Sequence, residues 1–196
     1  MTDTTDPNLA LERRTGLPDA LRVLLEEYPR AGWEDDPGYQ GLIAFWLDRH
    51  MMFRRLTEAM REASEARLDG TSEPERYAAA MSRYGSMLVS QLHGHHQIED
   101  MHYFPVLSGK DARIASGFEL LDKDHHALDG HIARFTETAN AAIRASDGQT
   151  LPGLAKDATG AFHEEIARFE TFLDRHLLDE EELVVPVILK YGASGL

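Results

Sequence analysis

Residues 95–107 read HHQIEDMHYFPVL, and residues 172–189 read FLDRHLLDEEELVVPVIL. Each stretch carries a histidine, a glutamate four positions later and a proline six positions after the glutamate: His95, Glu99 and Pro105 in the first, His176, Glu180 and Pro186 in the second. On an α-helix, side chains four positions apart lie on one face, one turn apart. Two such faces that meet would bring nitrogen and oxygen donors to a common centre, which is the arrangement of a metal site.

The sequence around both stretches follows the helical period of about 3.6 residues. Four long amphipathic segments are predicted to be helices, at 39–68, 72–107, 111–146 and 154–190. No segment alternates with period two for long enough to predict a sheet. Short loops of glycine, proline, serine and aspartate join the segments, which predicts an all-α fold, an antiparallel up-down-up-down four-helix bundle.

A shorter helix is expected at 17–28, between Pro18, which suits a first helical turn, and Pro29, which ends it. The polar start at 1–15 has the composition of a disordered tail. We therefore expect residues 1–38 to form an N-terminal tail with a short capping helix and residues 39–196 to form the bundle.

Composition excludes several functional classes. The chain of 196 residues has a formal net charge of −14, which disfavours binding to nucleic acid or to an anionic membrane surface. Without cysteine it can form no disulfide, thiolate metal site or cysteine nucleophile. The acidic start does not resemble a secretory signal, and no apolar run is long enough to span a bilayer. These features favour a cytoplasmic protein.

Polar residues interrupt the apolar stripe of every long segment. The second stripe, for example, consists of Leu88, Leu92, His95, Glu99 and Val106. Across the four stripes the inward-facing candidates are His50, His95, Glu99, His125, His176 and Glu180. Burying one polar group without a partner costs about 1–3 kcal/mol, and a buried carboxylate costs more. No lysine or arginine occupies the same stripes, so a bound cation pair is the predicted counter-charge.

The remaining histidines are less informative. His93, His96, His126 and His163 flank their stripes and are predicted to be surface residues. His102, His131 and Asp129 stay open as additional ligands, because each lies near a stripe or near a candidate ligand.

The combined pattern resembles the hemerythrin-like, or HHE cation-binding, domain over residues 40–190. The stretches 95–107 and 172–189 resemble two signatures of that family, and LLDKDHHALDGHI at 120–132 resembles a third. The resemblance implies a four-helix bundle that holds two iron ions. It also implies that Glu99 and Glu180 bridge the ions, with His50 and His95 on one ion and His125 and His176 on the other.

Asp129 stands where oxygen-carrying hemerythrins have a fifth histidine. Four histidines with two bridging carboxylates would leave an open position on each metal. The resemblance thus implies a protein that binds or senses dioxygen, nitric oxide or peroxide, and that is a metal-binding or sensing protein more than an enzyme.

Three alternatives stay open. A di-iron oxidase or peroxidase would use Glu-x-x-His pairs, and Glu99-x-x-His102 is one candidate. Iron–sulfur repair is a second, although such proteins usually carry a cysteine-containing N-terminal segment. A metal-free structural bundle is the third. Iron or manganese suits four nitrogens and two carboxylates better than a closed zinc site, yet zinc is not excluded. The oligomeric state is left open.

Overall fold

The computed structural model describes residues 6–39 and 41–196, and this part of the chain contains helices and no strand. The α-helices are α1 (Val23–Glu27), α2 (Leu42–Leu68), α3 (Pro74–Ile98), α4 (Phe104–Ser108), α5 (Ala115–Ala145) and α6 (Pro152–Tyr191). A π-helical turn at Glu99–Tyr103 joins α3 to α4, and single 3₁₀ turns occupy Pro7–Leu9, Asp19–Leu21 and Arg30–Gly32. The long helices expected at 39–68, 111–146 and 154–190 are confirmed, with bounds that differ by a few residues, whereas the helix expected at 72–107 is divided into α3, the π-helical turn and α4.

The N-terminal region is more structured than the sequence predicts. Leu11 and Arg14 are buried, so the expectation of a disordered tail is wrong for residues 6–15, while residues 1–5 lie outside the described part. The helix expected at 17–28 is a 3₁₀ turn followed by α1. Trp33 is buried, donates a hydrogen bond from Nε1 to the carbonyl of Tyr28 at 2.8 Å, and lies 4.8 Å below the guanidinium of Arg30.

The π turn changes the register of the second long helical segment. The amide of Phe104 donates to the carbonyl of Glu99, five residues back. Pro105 follows directly and has no amide hydrogen to continue the i to i−4 ladder. One extra residue in a turn rotates the following side chains by about 100°. Val106, expected in the core, is therefore only half-buried, and Phe104 and Leu107 are buried in its place.

The related stretch in α6 behaves differently, although its sequence pattern is the same. Pro186 lies inside α6, which continues as an α-helix to Tyr191. The apolar residues Val184, Val185, Val187 and Ile188 around this proline are all buried. The repeated motif thus occurs in two backbone conformations.

The chain divides into two compact units, and each receives segments of the long helices. The first unit consists of Met1–Met51, Gly94–Ala127 and Phe172–Leu196, and the second of Met52–His93 and Leu128–Thr171. All six residues predicted to bind metal belong to the first unit.

The first unit has an apolar core at the end where α4, α5 and α6 meet. Leu183 packs so closely on Gly117 that a Cβ at this position would lie 2.8 Å from the leucine side chain. At the chain end, Asp111 accepts hydrogen bonds from the Tyr191 hydroxyl at 2.9 Å and from the backbone amide and Nε of Arg113, both at 3.0 Å. Hydrogen bonding to the Arg113 guanidinium holds the pKa of Asp111 well below its usual range.

The second unit is held by aromatic packing. The ring of Phe135 lies 5.4 Å from that of Phe162 and 5.2 Å from that of Phe169. Tyr77 is fully buried, and its hydroxyl lies 3.4 Å from Ser64 Oγ. Among the helices in the described residues, none combines the length and the apolar content needed to cross a bilayer.

Candidate metal centre

The long helices deliver the six predicted residues to one region of the first unit. They are His50 on α2, His95 on α3, Glu99 at the start of the π turn, His125 on α5, and His176 and Glu180 on α6. Five of these side chains are at most 4 % exposed, and His95 is 12 % exposed. Their inward orientation follows from the apolar residues three and four positions away on each helix, which face the same core.

One cluster consists of His50, His95, Glu99 and Glu180, whose candidate ligand atoms lie within 4.8 Å of one another. The Nε2 atoms of His50 and His95 are 3.1 Å apart. His95 Nε2 lies 2.9 Å from Glu99 Oε1, and His50 Nε2 lies 3.5 Å from Glu180 Oε2. Two nitrogens and two carboxylates thus converge from three helices and the π turn.

The two glutamates also reach the histidines on the other side. Glu99 Oε2 lies 3.6 Å from His125 Nε2, and Glu180 Oε2 lies 3.6 Å from His176 Nε2. Glu99 therefore directs one oxygen towards each histidine pair. This is the geometry that a carboxylate needs to bridge two cations.

The inner polar atoms form no hydrogen bond within the described residues, and the contacts of the two glutamates with the histidines are ion pairs only where a histidine is protonated. These atoms are both carboxylate oxygens of Glu99 and of Glu180, together with Nε2 of His125 and of His176. Within the same part of the chain, no lysine or arginine forms an ion pair with either glutamate. Leaving such atoms unpaired in the interior costs free energy, so the donor set fits a pair of cations placed among them.

The two glutamates differ in their proton affinity. Burial, reinforced by the nearby Glu180 carboxylate, raises the pKa of Glu99 well above its usual value. Burial also opposes ionisation of Glu180, but His50, His95 and His176 outweigh it and hold the pKa of Glu180 well below its usual value. Without a cation, Glu99 is thus the member of the pair that keeps a proton.

Outer carboxylates orient three of the four histidines. His50 Nδ1 lies 3.0 Å from Glu181 Oε1, and His125 Nδ1 lies 2.7 Å from Asp100 Oδ1. His176 Nδ1 lies 3.4 Å from Asp124 Oδ2. A carboxylate at Nδ1 selects the tautomer with the proton on Nδ1, which leaves the Nε2 lone pair directed inwards. Burial lowers the pKa of His176, which further favours the neutral, metal-binding form.

The burial of His96 differs from the sequence prediction. This residue was expected on the surface but is 5 % exposed, and it forms a second cluster with His125 and His176. Its ring stacks on that of His125 with a centroid distance of 4.0 Å and an interplanar angle of 11°. A metal ion lies close to the plane of the imidazole that binds it, and one ion cannot lie in two parallel, stacked planes. In this conformation His96 supports the ring of His125 and would not bind the same metal ion as His125.

The other open candidates lie outside both clusters. His102 and Asp129 are exposed, and Asp129 lies 3.7 Å from the side chain of His93. His131 is buried in the second unit, where its Nδ1 contacts the guanidinium of Arg134. His93 and His126 are exposed as expected, and His163 is half-buried beside Glu65.

Aromatic residues border the centre. The ring of Trp46 lies 6.1 Å from that of His95 and 4.9 Å from that of Tyr103. On another side, the ring of Phe104 lies 5.4 Å from that of His125. These contacts limit the space around the inner nitrogens and the access of solvent to them.

Residues 41–188 match the family model of the hemerythrin HHE cation-binding domain. The match covers most of the chain and includes all six clustered residues. The chain belongs to the hemerythrin HHE family. Residues 6–39 precede the part that matches this family. Searches of curated proteins and of solved structures return no match.

Several charged residues near the centre were not predicted from the sequence, although Asp100 and Glu181 occupy equivalent positions in the two repeated stretches. Asp100, Asp124, Asp179 and Glu181 follow or precede candidate ligands and look like ordinary surface acids. For Asp124 and Asp179, acidic character next to a histidine or glutamate was the only available clue. Arg14 lies in the segment expected to be disordered, and nothing in its neighbourhood indicates its burial.

Proposed function

We propose that this hemerythrin-family protein holds two iron ions in a carboxylate-bridged centre and binds or senses dioxygen, nitric oxide or peroxide there. The observation that carries the proposal is the pair of fully buried glutamates, Glu99 and Glu180, whose oxygens lie without hydrogen-bond partners between two pairs of histidines. The proposal assumes the antiparallel up-down-up-down order of the four long helices.

The ligand assignment follows the distances. His50 and His95 would hold one ion, His125 and His176 the other, and Glu99 and Glu180 would bridge them. Glu181, Asp100 and Asp124 would keep three of the imidazoles in the correct tautomer and orientation, as outer carboxylates commonly do.

The donor set supports iron as the resident metal. Four neutral imidazoles with two carboxylates suit iron or manganese, whereas structural zinc sites favour closed tetrahedral sets. The lack of cysteine removes the thiolate ligands that an iron–sulfur cluster would need. The family itself is described as cation-binding.

An open coordination position is the basis of the ligand-binding role. Asp129 occupies the position of the fifth histidine of oxygen carriers, yet it is exposed and belongs to neither cluster. The residues found here supply two imidazoles and shared carboxylates to each ion, which is fewer than six donors. Bound iron would supply a redox-active Lewis acid with room for a small ligand.

The position of His102 disfavours the oxidase alternative. A ferritin-like centre would need this residue, three positions after Glu99, to face the same interior. His102 is exposed, so the Glu-x-x-His arrangement does not form. We therefore favour binding or sensing over catalytic turnover.

The test combines metal analysis with absorbance spectroscopy. Protein purified from iron-replete cells should contain about two iron atoms per chain, and the oxidised protein should show charge-transfer bands that shift when azide is added. Glu180→Gln should lose iron and the bands, whereas Glu164→Gln, an exposed position on the same helix, should keep both.

Two results would contradict the proposal. An iron-free preparation that takes up no iron on reconstitution would favour the metal-free bundle, as would a melting temperature that a chelator leaves unchanged. A preparation with two atoms of manganese or zinc per chain would support the proposed site and would identify a resident metal other than iron.

A further inference from the structure

Arg14 is the most deeply buried arginine near the proposed centre. Its side chain is 2 % exposed, although it lies in the segment that precedes the family match. Its Nη1 donates to Asp124 Oδ1 at 2.7 Å and to the carbonyl of Leu9 at 3.0 Å, while Nη2 donates to Asp124 Oδ2. Nε donates to Asp179 Oδ2 at 2.7 Å. One guanidinium thus binds α5 with two parallel hydrogen bonds and α6 with a third.

These contacts connect Arg14 with His176, a proposed metal ligand, through one carboxylate. Asp124, which Arg14 holds by both oxygens, is the carboxylate that faces His176 Nδ1. Asp179, the second partner, directly precedes Glu180 in the sequence and is fully buried. Arg14 therefore fixes an outer carboxylate of the centre and the turn of α6 that carries Glu180.

A second arginine completes the charge balance of this layer. Arg175 pairs with Asp179 and also donates to the carbonyl of Thr15. The two buried aspartates, Asp124 and Asp179, thus have two guanidinium partners, Arg14 and Arg175. The charges of these four side chains sum to zero, in contrast to the two inner glutamates, which have no guanidinium partner.

The other histidine pair receives weaker support from the same segment. Arg30 pairs with Glu181, which faces His50 Nδ1, but the Arg30 side chain is 48 % exposed. A solvent-exposed pair contributes little to orientation because water competes for its hydrogen bonds. The buried Arg14 is therefore the stronger link between residues 6–39 and the centre.

We propose that Arg14 is a positioning residue of the metal centre, so that the N-terminal segment completes the site that the family domain supplies. The inference rests on the proposed function. Removing the guanidinium of Arg14, which binds both oxygens of Asp124, frees this carboxylate to rotate, and His176 then loses its fixed orientation. Loss of a carboxylate that orients a metal-binding histidine lowers metal affinity by about 10- to 100-fold, and Arg14 acts on metal binding through such a carboxylate, Asp124.

The experiment compares Arg14→Met, Arg14→Lys and Arg13→Met in the full chain. Arg13 is the adjacent, exposed arginine and serves as the matched control. The readouts are the rate of iron loss to a chelator, the azide charge-transfer band and the melting temperature of the metal-free protein. We expect Arg14→Met to lose iron at least about 10 times faster than the wild type. Arg14→Lys keeps the charge without the two parallel hydrogen bonds to Asp124, so it should lose iron at an intermediate rate. Arg13→Met should lose iron at the wild-type rate.

The outcomes separate this inference from the proposed function. If the wild type takes up no metal, the proposed function fails and the inference fails with it. If the wild type binds iron and Arg14→Met retains it equally well, only the inference is overturned, even when the melting temperature falls. Should Arg14→Met not fold, wild-type iron retention and an unchanged azide band in Arg14→Lys would overturn the inference.

Discussion

Replacing Glu99 with glutamine should separate the contribution of this residue to the fold from its contribution to metal binding. Glu99 is fully buried, and burial together with the nearby Glu180 raises its pKa well above the usual value. A raised pKa favours the protonated carboxyl in the metal-free protein, and that form resembles the neutral amide in both charge and shape. We expect the metal-free Glu99→Gln variant to differ from the metal-free wild type by less than about 1 kcal/mol.

The metal-loaded state should respond much more strongly. A ligand present at about 1,000 times its dissociation constant stabilises the folded state by roughly 4 kcal/mol. In a chain of this size, 1 kcal/mol shifts the melting temperature by about 2–4 °C. The wild type should thus gain about 8–16 °C on loading. Glu99→Gln should lose most of this gain, because an amide neither bridges two cations nor neutralises their charge.

The assay is differential scanning calorimetry under anaerobic conditions, with ferrous iron and with a chelator, on the wild type, Glu99→Gln and the control Glu164→Gln. The control should melt like the wild type in both states. Equal losses of stability with and without metal in Glu99→Gln would contradict this prediction, because they would show that Glu99 stabilises the metal-free fold. A wild type that does not respond to iron would refute the metal proposal itself.

Three further predictions test other parts of the structure. Gly117→Ala should lower the free energy of unfolding, measured with urea, by about 1–3 kcal/mol, because the new Cβ would lie 2.8 Å from a leucine side chain of α6. The control Gly130→Ala, in open space on the same helix, should raise the free energy of unfolding by up to about 1 kcal/mol. Asp111→Asn should lower stability at pH 7 by roughly 1 kcal/mol, and Asp157→Asn should not. Because the folded-state pKa of Asp111 is depressed, the contribution of Asp111 to stability is present above about pH 3.9 and is lost as the pH falls. A stability difference between the wild type and Asp111→Asn that stays constant as the pH is lowered would contradict this prediction. Burial and the nearby imidazoles lower the pKa of His96 well below its usual value. In NMR spectra of the metal-free protein, the His96 ring should therefore remain neutral as the pH falls through about 6.5. The stability linked to this shift is present above that pH and lost below it, and a signal that titrates near 6.5 would be contrary evidence.

Helical periodicity predicted the long helices and the burial of His50, Glu99, His125, His176 and Glu180. It succeeded at His50, His125 and His176 because each interrupts an otherwise regular apolar stripe, and position on the helix then determines burial. Loops and helix ends were predicted less well, since capping and packing move them by a few residues.

Periodicity failed where the backbone leaves the regular helix. Val106 was expected in the core on the assumption of an unbroken α-helix, and the π turn at Glu99–Tyr103 shifts the register by one residue. His96 was expected outside the stripe, but neighbouring imidazoles from other helices make its position interior. Neither effect can be read from the spacing of apolar residues in one segment.

The outer carboxylates and their arginine partners could not be predicted either. Arg14 and Asp124 are 110 positions apart, and their pairing depends on how the N-terminal segment packs on α5 and α6. A single charged residue in a polar stretch is usually solvated, so its burial appears only once the tertiary structure is known.

The placement of the two tryptophans gives the protein a built-in optical reporter. Trp46 lies beside a proposed iron ligand, whereas Trp33 packs within the N-terminal segment next to Arg30. Iron absorbs light and quenches nearby excited indoles, so emission from Trp46 should fall as the centre fills. A Trp33→Phe variant would isolate that emission and allow metal uptake to be followed in real time without any added dye.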